Sequence, residues 1–187
     1  PLLQSSAASD VYKRQYNVVL IFDEVKTGFR LSNGGARETY EVIPDISTYA
    51  KSLGNGVPVA AFGGKSEVMN VIGGGSVAHA GTFGGNGVSM SAANAVLDIL
   101  NEAPVLKELS IRGQKLKKGM DNILDEVGLP HQMCGHPNIQ GFLITEHKVE
   151  EVRDLAYSDD AMYEKIMDHM FDRGVWVEND PREPWFL

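Results

Sequence analysis

The 187-residue sequence has little of several features that mark whole classes of proteins. Its single cysteine, Cys134, cannot form an internal disulfide, which favours a reducing compartment, and we expect a cytoplasmic protein. No apolar stretch approaches the roughly 18 residues that can span a bilayer. Lys and Arg number 17 against 25 Asp and Glu, and no basic run offsets the net charge of -8. The composition therefore predicts neither a membrane protein nor a nucleic-acid partner.

The two ends of the sequence differ from its middle. The chain begins at Pro1 without an initiator methionine and stops within the apolar run Trp185-Phe186-Leu187, so we expect a fragment of a longer protein. Residues 1–15 show neither helical nor strand periodicity and change abruptly into an apolar run at Val18. We interpret residues 1–15 as a non-native or disordered leader.

An apolar, β-branched run from Val18 to Phe22 predicts a strand buried on both faces of a parallel sheet. It ends in Asp23-Glu24, and ligands in open α/β sheets bind at the carboxyl ends of strands. Two further strands are expected at 46–50, which leads directly into Lys51, and at 57–62. These patterns predict an α/β fold.

The remaining patterns divide the chain into two domains. Residues 16–103 are expected to form part of a large domain, and residues 104–187 an incomplete small α/β domain.

Gly128 and Gly174 are predicted as helix C-caps and Asn86 as an N-cap. Met162, Ile166, Met170 and Phe171 are expected to face inward. The predicted later elements are helices at 65–72, 89–101, 105–127 and 159–173, and strands at 139–145 and from 175 to 177.

Asp23, taken without Lys51, has a competing interpretation. An apolar strand ending in Asp-Glu also describes the magnesium-binding strand of nucleoside triphosphatases, which requires a glycine-rich phosphate loop. Neither Lys51-Ser52 nor Lys65-Ser66 has the glycines of such a loop at the required spacing. A nucleotide-hydrolysing domain would therefore need its loop in sequence upstream, and a solvated strand-end carboxylate is the simpler alternative.

Lys51 lies between an apolar strand and a glycine-bearing turn. Most single lysines are surface lysines, but a lysine in an apolar crevice has a nucleophilic amine that can attack an aldehyde. A cofactor built on a pyridine ring needs such an amine and, at the ring nitrogen, a carboxylate. Lys51 and Asp23 together could supply both groups from adjacent strand ends.

Three ordered segments carry a specific resemblance: LIFDEVKTGFR (20–30), DISTYAKSLGNGVPVAAFGG (45–64) and HAGTFGGNGVSMSAANAVLDIL (79–100). They resemble class III aminotransferases, and look most like the branch that contains glutamate-1-semialdehyde 2,1-aminomutase. The resemblance implies the pyridoxal-phosphate-dependent transferase fold of type I. It further implies a partial large domain with a parallel-rich sheet, followed by a truncated small domain.

The resemblance also implies roles for four residues. Lys51 would hold pyridoxal phosphate as an internal aldimine, Asp23 would bind its ring nitrogen, and Val25 would pack on one face of the ring. Thr82 would reach the cofactor phosphate of a neighbouring subunit, which implies a homodimer. The implied reaction is amino-group transfer between small amine and carbonyl substrates, by transamination or 1,2-exchange. A catalytically silent module with the same fold is the alternative.

Other candidate residues carry weaker signals. Arg30 could bind a substrate carboxylate, although a structural arginine is the simpler interpretation. His131, Cys134 and His136 lack a fourth ligand at suitable spacing, so we expect no metal site.

Overall fold

The computed structural model of the chain describes residues 10–13, 15–73 and 76–187. These residues belong to two compact units, one ending at Leu106 and one running from Lys107 to Leu187. The assignment of residues 16–103 and 104–187 to the large and small domains of a longer protein stays a prediction. The predicted leader falls partly outside the description, because residues 1–9 and 14 are not among the described residues.

A three-stranded sheet organises the first unit. Its strands are β1 (Ile21–Asp23), β2 (Ile46–Tyr49) and β3 (Ala61–Gly64), in that spatial order. β1 runs parallel to β2, and β2 runs antiparallel to β3. Because parallel strands end at the same edge of a sheet, the carboxyl ends of β1 and β2 lie side by side. This edge carries the candidate site.

The burial predicted for the first strand is wrong. Ile21 is 56% exposed and Val18 is 51% exposed, whereas a strand covered on both faces would have buried both side chains. β1 pairs with β2 alone among the described strands, so it is an outer strand of this sheet. Its apolar side chains therefore remain in contact with solvent.

Three helices accompany this sheet: α1 (Gly35–Thr39), α2 (Ser66–Gly73) and α3 (Gly87–Glu102). The helices predicted at 65–72 and 89–101 are thereby confirmed. Asn86 begins α3 as predicted, since its side-chain oxygen accepts hydrogen bonds from Val88 N and Ser89 N, both at 3.1 Å. These bonds satisfy two backbone donors that the first helical turn leaves without partners.

Asp45, immediately before β2, joins three segments of the first unit. Its buried carboxylate contacts Lys13 Nζ at 2.7 Å and Lys65 Nζ at 2.9 Å, and accepts a hydrogen bond from Leu20 N at 2.8 Å. Burial alone would raise the pKa of Asp45, but these hydrogen bonds and charges hold it well below its usual range. Lys13 belongs to the predicted leader, within the helical residues 10–13, and the origin of that leader stays a prediction.

The second unit contains an antiparallel sheet with two long helices. The sheet order is β4 (His131–His136), β5 (Ile139–Ile144) and β6 (Trp185–Phe186). The helices are α4 (Val105–Glu126), which begins two residues before the unit itself, and α5 (Asp160–Asp172). The strand predicted at 175–177 is wrong, because those residues adopt no strand and the third strand forms later, at β6. β4 was not predicted from the sequence.

An aromatic cluster forms the core of the second unit. On α5, Tyr163 and Met167 are 1% and 3% exposed. The prediction that Phe171 faces inward is wrong: it is 62% exposed and packs edge-on against the exposed Trp176. Met162, Ile166 and Met170 are partly buried against the core, as predicted. The buried members of the cluster are Leu124, Phe142, Ile144, Tyr163, Met167 and Trp185.

Both predicted glycine C-caps are present. Gly128 has φ +68°, with Gly128 N bonded to Asp125 O and Leu129 N to Leu124 O, each at 3.0 Å. Gly174 ends α5 in the same way, with φ +82° and Gly174 N bonded to Phe171 O at 2.8 Å. A left-handed residue after the last helical turn allows these bonds, and glycine adopts that conformation without strain.

Candidate functional site

Asp23 and Lys51 lie at the ends of two neighbouring parallel strands. Asp23 is the last residue of β1 and stands opposite Thr48 of β2 in the strand register. Thr48 Oγ1 donates to Asp23 Oδ1 at 3.3 Å, and β2 ends one residue later, at Tyr49. Lys51 follows the end of β2 by two residues. The sheet thus brings the two predicted residues to one edge, in the arrangement that the sequence pattern indicated.

The Asp23 carboxylate is restrained through one of its two oxygens. Val25 N donates to Oδ1 at 3.0 Å, and the Thr48 hydroxyl donates to the same atom. Among the described residues, no hydrogen bond reaches the second oxygen, Oδ2. Asp23 is exposed, so Oδ2 can accept a hydrogen bond from a group bound at this edge.

Lys51 has an unusual backbone conformation. Its φ is +44°, in the left-handed region that costs a non-glycine residue roughly 1–2 kcal/mol. Three backbone hydrogen bonds hold the turn: Leu53 N to Ala50 O at 2.9 Å, Gly54 N to Lys51 O at 3.1 Å, and Asn55 N to Lys51 O at 2.9 Å. Leu53 anchors the turn because its side chain is buried. Asn55 in the same turn and Phe29 in the turn after β1 also have positive φ, so this conformation marks tight turns and does not by itself assign a role to Lys51.

The apolar crevice predicted around Lys51 is absent from the described part of the chain. Lys51 is exposed, although the buried Leu53 lies only two residues further along the chain. The described residues therefore do not form the crevice that the sequence pattern indicated.

The turn after β1 packs tightly against β2 and the Lys51 turn. Ser52 Oγ donates to Gly28 O at 2.9 Å, and the rings of Phe29 and Tyr49 pack with centroids 5.4 Å apart. Gly28 permits this approach, because a Cβ atom there would lie 2.7 Å from Tyr49 Cδ1 and 2.8 Å from Glu24 O. The close packing of the turn after β1 against β2 therefore requires a glycine at position 28.

Glu24 is a buried charged residue that sequence reasoning gave no role. Its side chain is fully buried and accepts hydrogen bonds from Thr27 Oγ1 at 2.5 Å, Ala36 N at 2.9 Å and Arg37 N at 3.0 Å. Two of these donors are backbone groups in the first turn of α1, so Glu24 caps a helix that begins well downstream. The sequence shows an acidic residue beside Asp23 and glycines at 34 and 35. It does not show that the segment around those glycines folds back onto Glu24.

Val25 and Thr82 lie in different surroundings. Val25 is half-buried directly after Glu24, and its amide contacts Asp23. Thr82 lies in an exposed turn before α3, where Gly84 N bonds to Gly81 O at 2.9 Å. No hydrogen bond joins Thr82 to Asp23 or Lys51 in the described ranges. Its predicted role in a neighbouring subunit stays a prediction.

The two Lys-Ser pairs form no phosphate loop. Lys51 begins a short 3-10 turn, and the Lys65 ammonium pairs with Asp45 at 2.9 Å.

Arg30 is half-buried, with Nη1 donating to Lys26 O at 3.3 Å, and its burial lowers its pKa. Across residues 10–13, 15–73 and 76–187, no three His, Cys, Asp or Glu side chains come together in a way that could hold a metal ion. No helix in those ranges is both long and apolar enough to span a membrane.

Comparison with known proteins places the chain in a family. The family model described as "Aminotransferase class-III" matches residues 9–182. A glutamate-1-semialdehyde 2,1-aminomutase of Aquifex aeolicus is 37% identical over 175 residues, and one of Sulfurihydrogenibium sp. is 36% identical over 175 residues. Each alignment covers 93% of this chain and 41% of the relative. The chain therefore spans about 41% of the length of these curated relatives.

Solved structures share the fold. An omega-transaminase from Sphaerobacter thermophilus superposes with a TM-score of 0.83 at 29% identity, covering 97% of this chain and 42% of that one. A glutamate-1-semialdehyde-aminomutase from Pseudomonas aeruginosa PAO1, in complex with PMP, gives a TM-score of 0.84 with the same coverage. Its 18% identity supports the fold alone. The structural match agrees with the family match over residues 9–182, and the chain belongs to the class III aminotransferase family.

Proposed function

We propose that this chain carries the cofactor-lysine part of a pyridoxal-phosphate enzyme that transfers an amino group between small amine and carbonyl substrates. The observation that supports it best is the parallel pairing of β1 and β2, which sets the Asp23 carboxylate beside the strand that leads to Lys51. Family membership supports the same assignment. The names of the curated relatives favour intramolecular 1,2-exchange as the specific reaction.

The described geometry of Asp23 is compatible with this cofactor. Oδ1 is held by Val25 N and Thr48 Oγ1, whereas Oδ2 has no donor among the described residues. A carboxylate oriented in this way can accept a hydrogen bond from a protonated ring nitrogen and favours the protonated form. When bound, pyridoxal phosphate supplies an electron sink for charge that develops on the substrate carbon.

Each of the other site residues has a proposed task. Lys51 Nζ would bond the cofactor covalently and would carry a proton to and from the substrate carbon as a general acid and base. Val25 would pack against the ring. Thr82 would reach the phosphate bound by a second copy of the protein in a cytoplasmic homodimer. The exposure of the segment around Thr82 is compatible with such a contact.

Locating the modified lysine tests the proposal. The complete open reading frame that contains this sequence would be expressed, incubated with pyridoxal phosphate, reduced with borohydride and digested for mass spectrometry. The reduced cofactor is expected on Lys51, with wild-type labelling in Lys107→Ala and none in a folded Lys51→Ala protein. A folded wild-type protein that carries no label, or a label on other lysines alone, would refute the Lys51 assignment. The silent-module alternative would then lead.

Product analysis distinguishes the two reaction types. Exchange of the amino group within one molecule needs no second substrate, whereas transamination requires a separate carbonyl acceptor. The loaded protein would be given glutamate 1-semialdehyde with and without an added 2-oxo acid. Rearranged product formed without the acceptor would support the aminomutase reaction, and strict dependence on the acceptor would support transamination.

A further inference from the structure

A fully buried carboxylate directly follows the predicted ring-nitrogen ligand. Glu24 is 0% exposed, whereas its neighbour Asp23 is exposed. Successive residues at a strand end point to opposite faces of the sheet. The Glu24 side chain is thus enclosed by the protein while the Asp23 side chain projects toward solvent. We propose that Glu24 is a positioning residue that fixes the orientation of Asp23, and this inference rests on the proposed function.

The backbone of Glu24 is bonded in both directions. Glu24 N donates to Thr48 O at 2.9 Å, which joins the end of β1 to β2, and Glu24 O accepts from Gly28 N at 2.8 Å. The first bond keeps the residue in register with the strand that leads to Lys51. The second begins the turn that contacts the Lys51 turn through Ser52. Movement of Glu24 would therefore change the position of both strand ends.

The side chain of Glu24 is held more firmly than that of Asp23. The three hydrogen-bond donors around Glu24, from Thr27, Ala36 and Arg37, lie 2.5–3.0 Å from its oxygens inside the protein. The two donors to Asp23 share one oxygen, at 3.0 and 3.3 Å, in a solvent-exposed position. Because hydrogen bonds in solvent give little rigidity on their own, the placement of Asp23 depends on the buried residue beside it.

Gly35, the first residue of α1, completes the enclosure of Glu24. Its φ is +66°, and a Cβ atom there would lie 2.5 Å from Glu24 Oε2 and 2.8 Å from Oε1. A side chain at position 35 would therefore displace the Glu24 carboxylate without altering Glu24 itself. This provides a second, independent way to perturb the contact.

The decisive variants are Glu24→Ala, Glu24→Gln and Gly35→Ala, compared with Asp23→Asn. Thr39→Ala is the matched control, because it removes the hydrogen bond from Thr39 Oγ1 to Gly35 O in the same helix without touching Glu24. Glutamine can keep acceptors for only some of the three donors, so it should restore part of the function lost in the alanine variant. All variants would be made in the complete open reading frame.

Three quantities would be measured: the dissociation constant of pyridoxal phosphate, the pH dependence of the visible absorbance of the loaded protein, and the thermal stability of the cofactor-free protein. Asp23→Asn should shift the pH profile because it removes the negative charge near the ring nitrogen. Glu24→Ala and Gly35→Ala should shift it in the same direction. They should weaken binding on the order of 10-fold, by analogy with the loss of residues that orient metal ligands. Glu24→Gln should lie between Glu24→Ala and wild type.

The outcomes separate the two proposals. Wild-type protein that binds no pyridoxal phosphate contradicts the proposed function itself. A different result would overturn the positioning role and leave a purely structural one. In that case the wild-type protein binds pyridoxal phosphate, and the Glu24 and Gly35 variants lose thermal stability but keep the wild-type pH profile and dissociation constant. If Glu24→Ala does not fold, the profile of Glu24→Gln decides. Thr39→Ala should lower stability while keeping the wild-type profile.

Discussion

Replacing Tyr163 with phenylalanine should lower the free energy of unfolding of the second unit by about 1.5–4.5 kcal/mol. The Tyr163 hydroxyl donates to Glu178 O at 3.0 Å and accepts from Trp185 Nε1 at 3.0 Å. Phenylalanine keeps the ring, whose centroid lies 5.2 Å from that of Phe142, so the packing of the core is retained. The loss is then the sum of one ordinary hydrogen bond, about 0.5–1.5 kcal/mol, and a buried indole N–H without an acceptor, about 1–3 kcal/mol.

The assay uses urea unfolding followed by tryptophan fluorescence. Trp176 is 87% exposed and Trp185 is buried, so a Trp176→Phe background reports on Trp185 directly. Tyr157→Phe is the matched control, because Tyr157 is 58% exposed and its loss of a hydroxyl should change stability by less than about 0.5 kcal/mol. A Tyr163→Phe protein with stability within that margin of the wild type would refute the assignment of the hydroxyl as a buried link between Glu178 and Trp185.

Three further changes test other parts of the fold. The His131 ring nitrogens face Leu129 O at 2.9 Å and Asp121 Oδ1 at 3.0 Å. Burial opposes the charged form of His131, but these two contacts favour it and raise its pKa. The stability that the contacts add is present below about pH 6.5 and is lost as pH rises through the raised pKa. The free energy of unfolding, measured with urea across this pH range, should fall by about 0.5–1 kcal/mol as pH rises, and the fall should be smaller in Asp121→Ala, which removes one of the two contacts. An equal fall in both proteins would contradict the role of Asp121. Gly28→Ala should lower the stability of the first unit by about 1–3 kcal/mol in thermal unfolding, whereas Gly63→Ala, whose Cβ would meet nothing within 4 Å, should be nearly neutral. Gly128→Ala should destabilise α4 by about 1 kcal/mol because φ is +68°, while Gly119→Ala inside the same helix should stabilise it; effects of the same sign in urea unfolding would contradict the cap.

The features predicted correctly from the sequence are those that arise within a few residues. Asn86 accepts from amides two and three residues ahead, and Gly128 allows bonds to carbonyls three to five residues behind. Helix ends of this kind need only a suitable residue next to a periodic apolar pattern. The start of α3 and the end of α4 are therefore predictable from the sequence alone.

The features missed depend on contacts between distant segments. The sequence of β4, HQMCGH, has few residues that favour strands, and it becomes a strand because all six residues pair with β5, from His131 opposite Ile144 to His136 opposite Ile139. Glu24 was missed for the same reason, because two of its donors belong to α1. A pattern read along the chain gives no information about which segment will return to it.

The position of Asp45 has a practical consequence for choosing where an expressed chain should begin. The segment read from the sequence as a leader contains Lys13, one of the two lysines paired with this buried carboxylate. A start point placed at residue 16 would remove that lysine and leave Asp45 with Lys65 as its remaining cationic partner among the described residues. A start point at or before residue 9 keeps the pair and also keeps the whole of the region matched to the family.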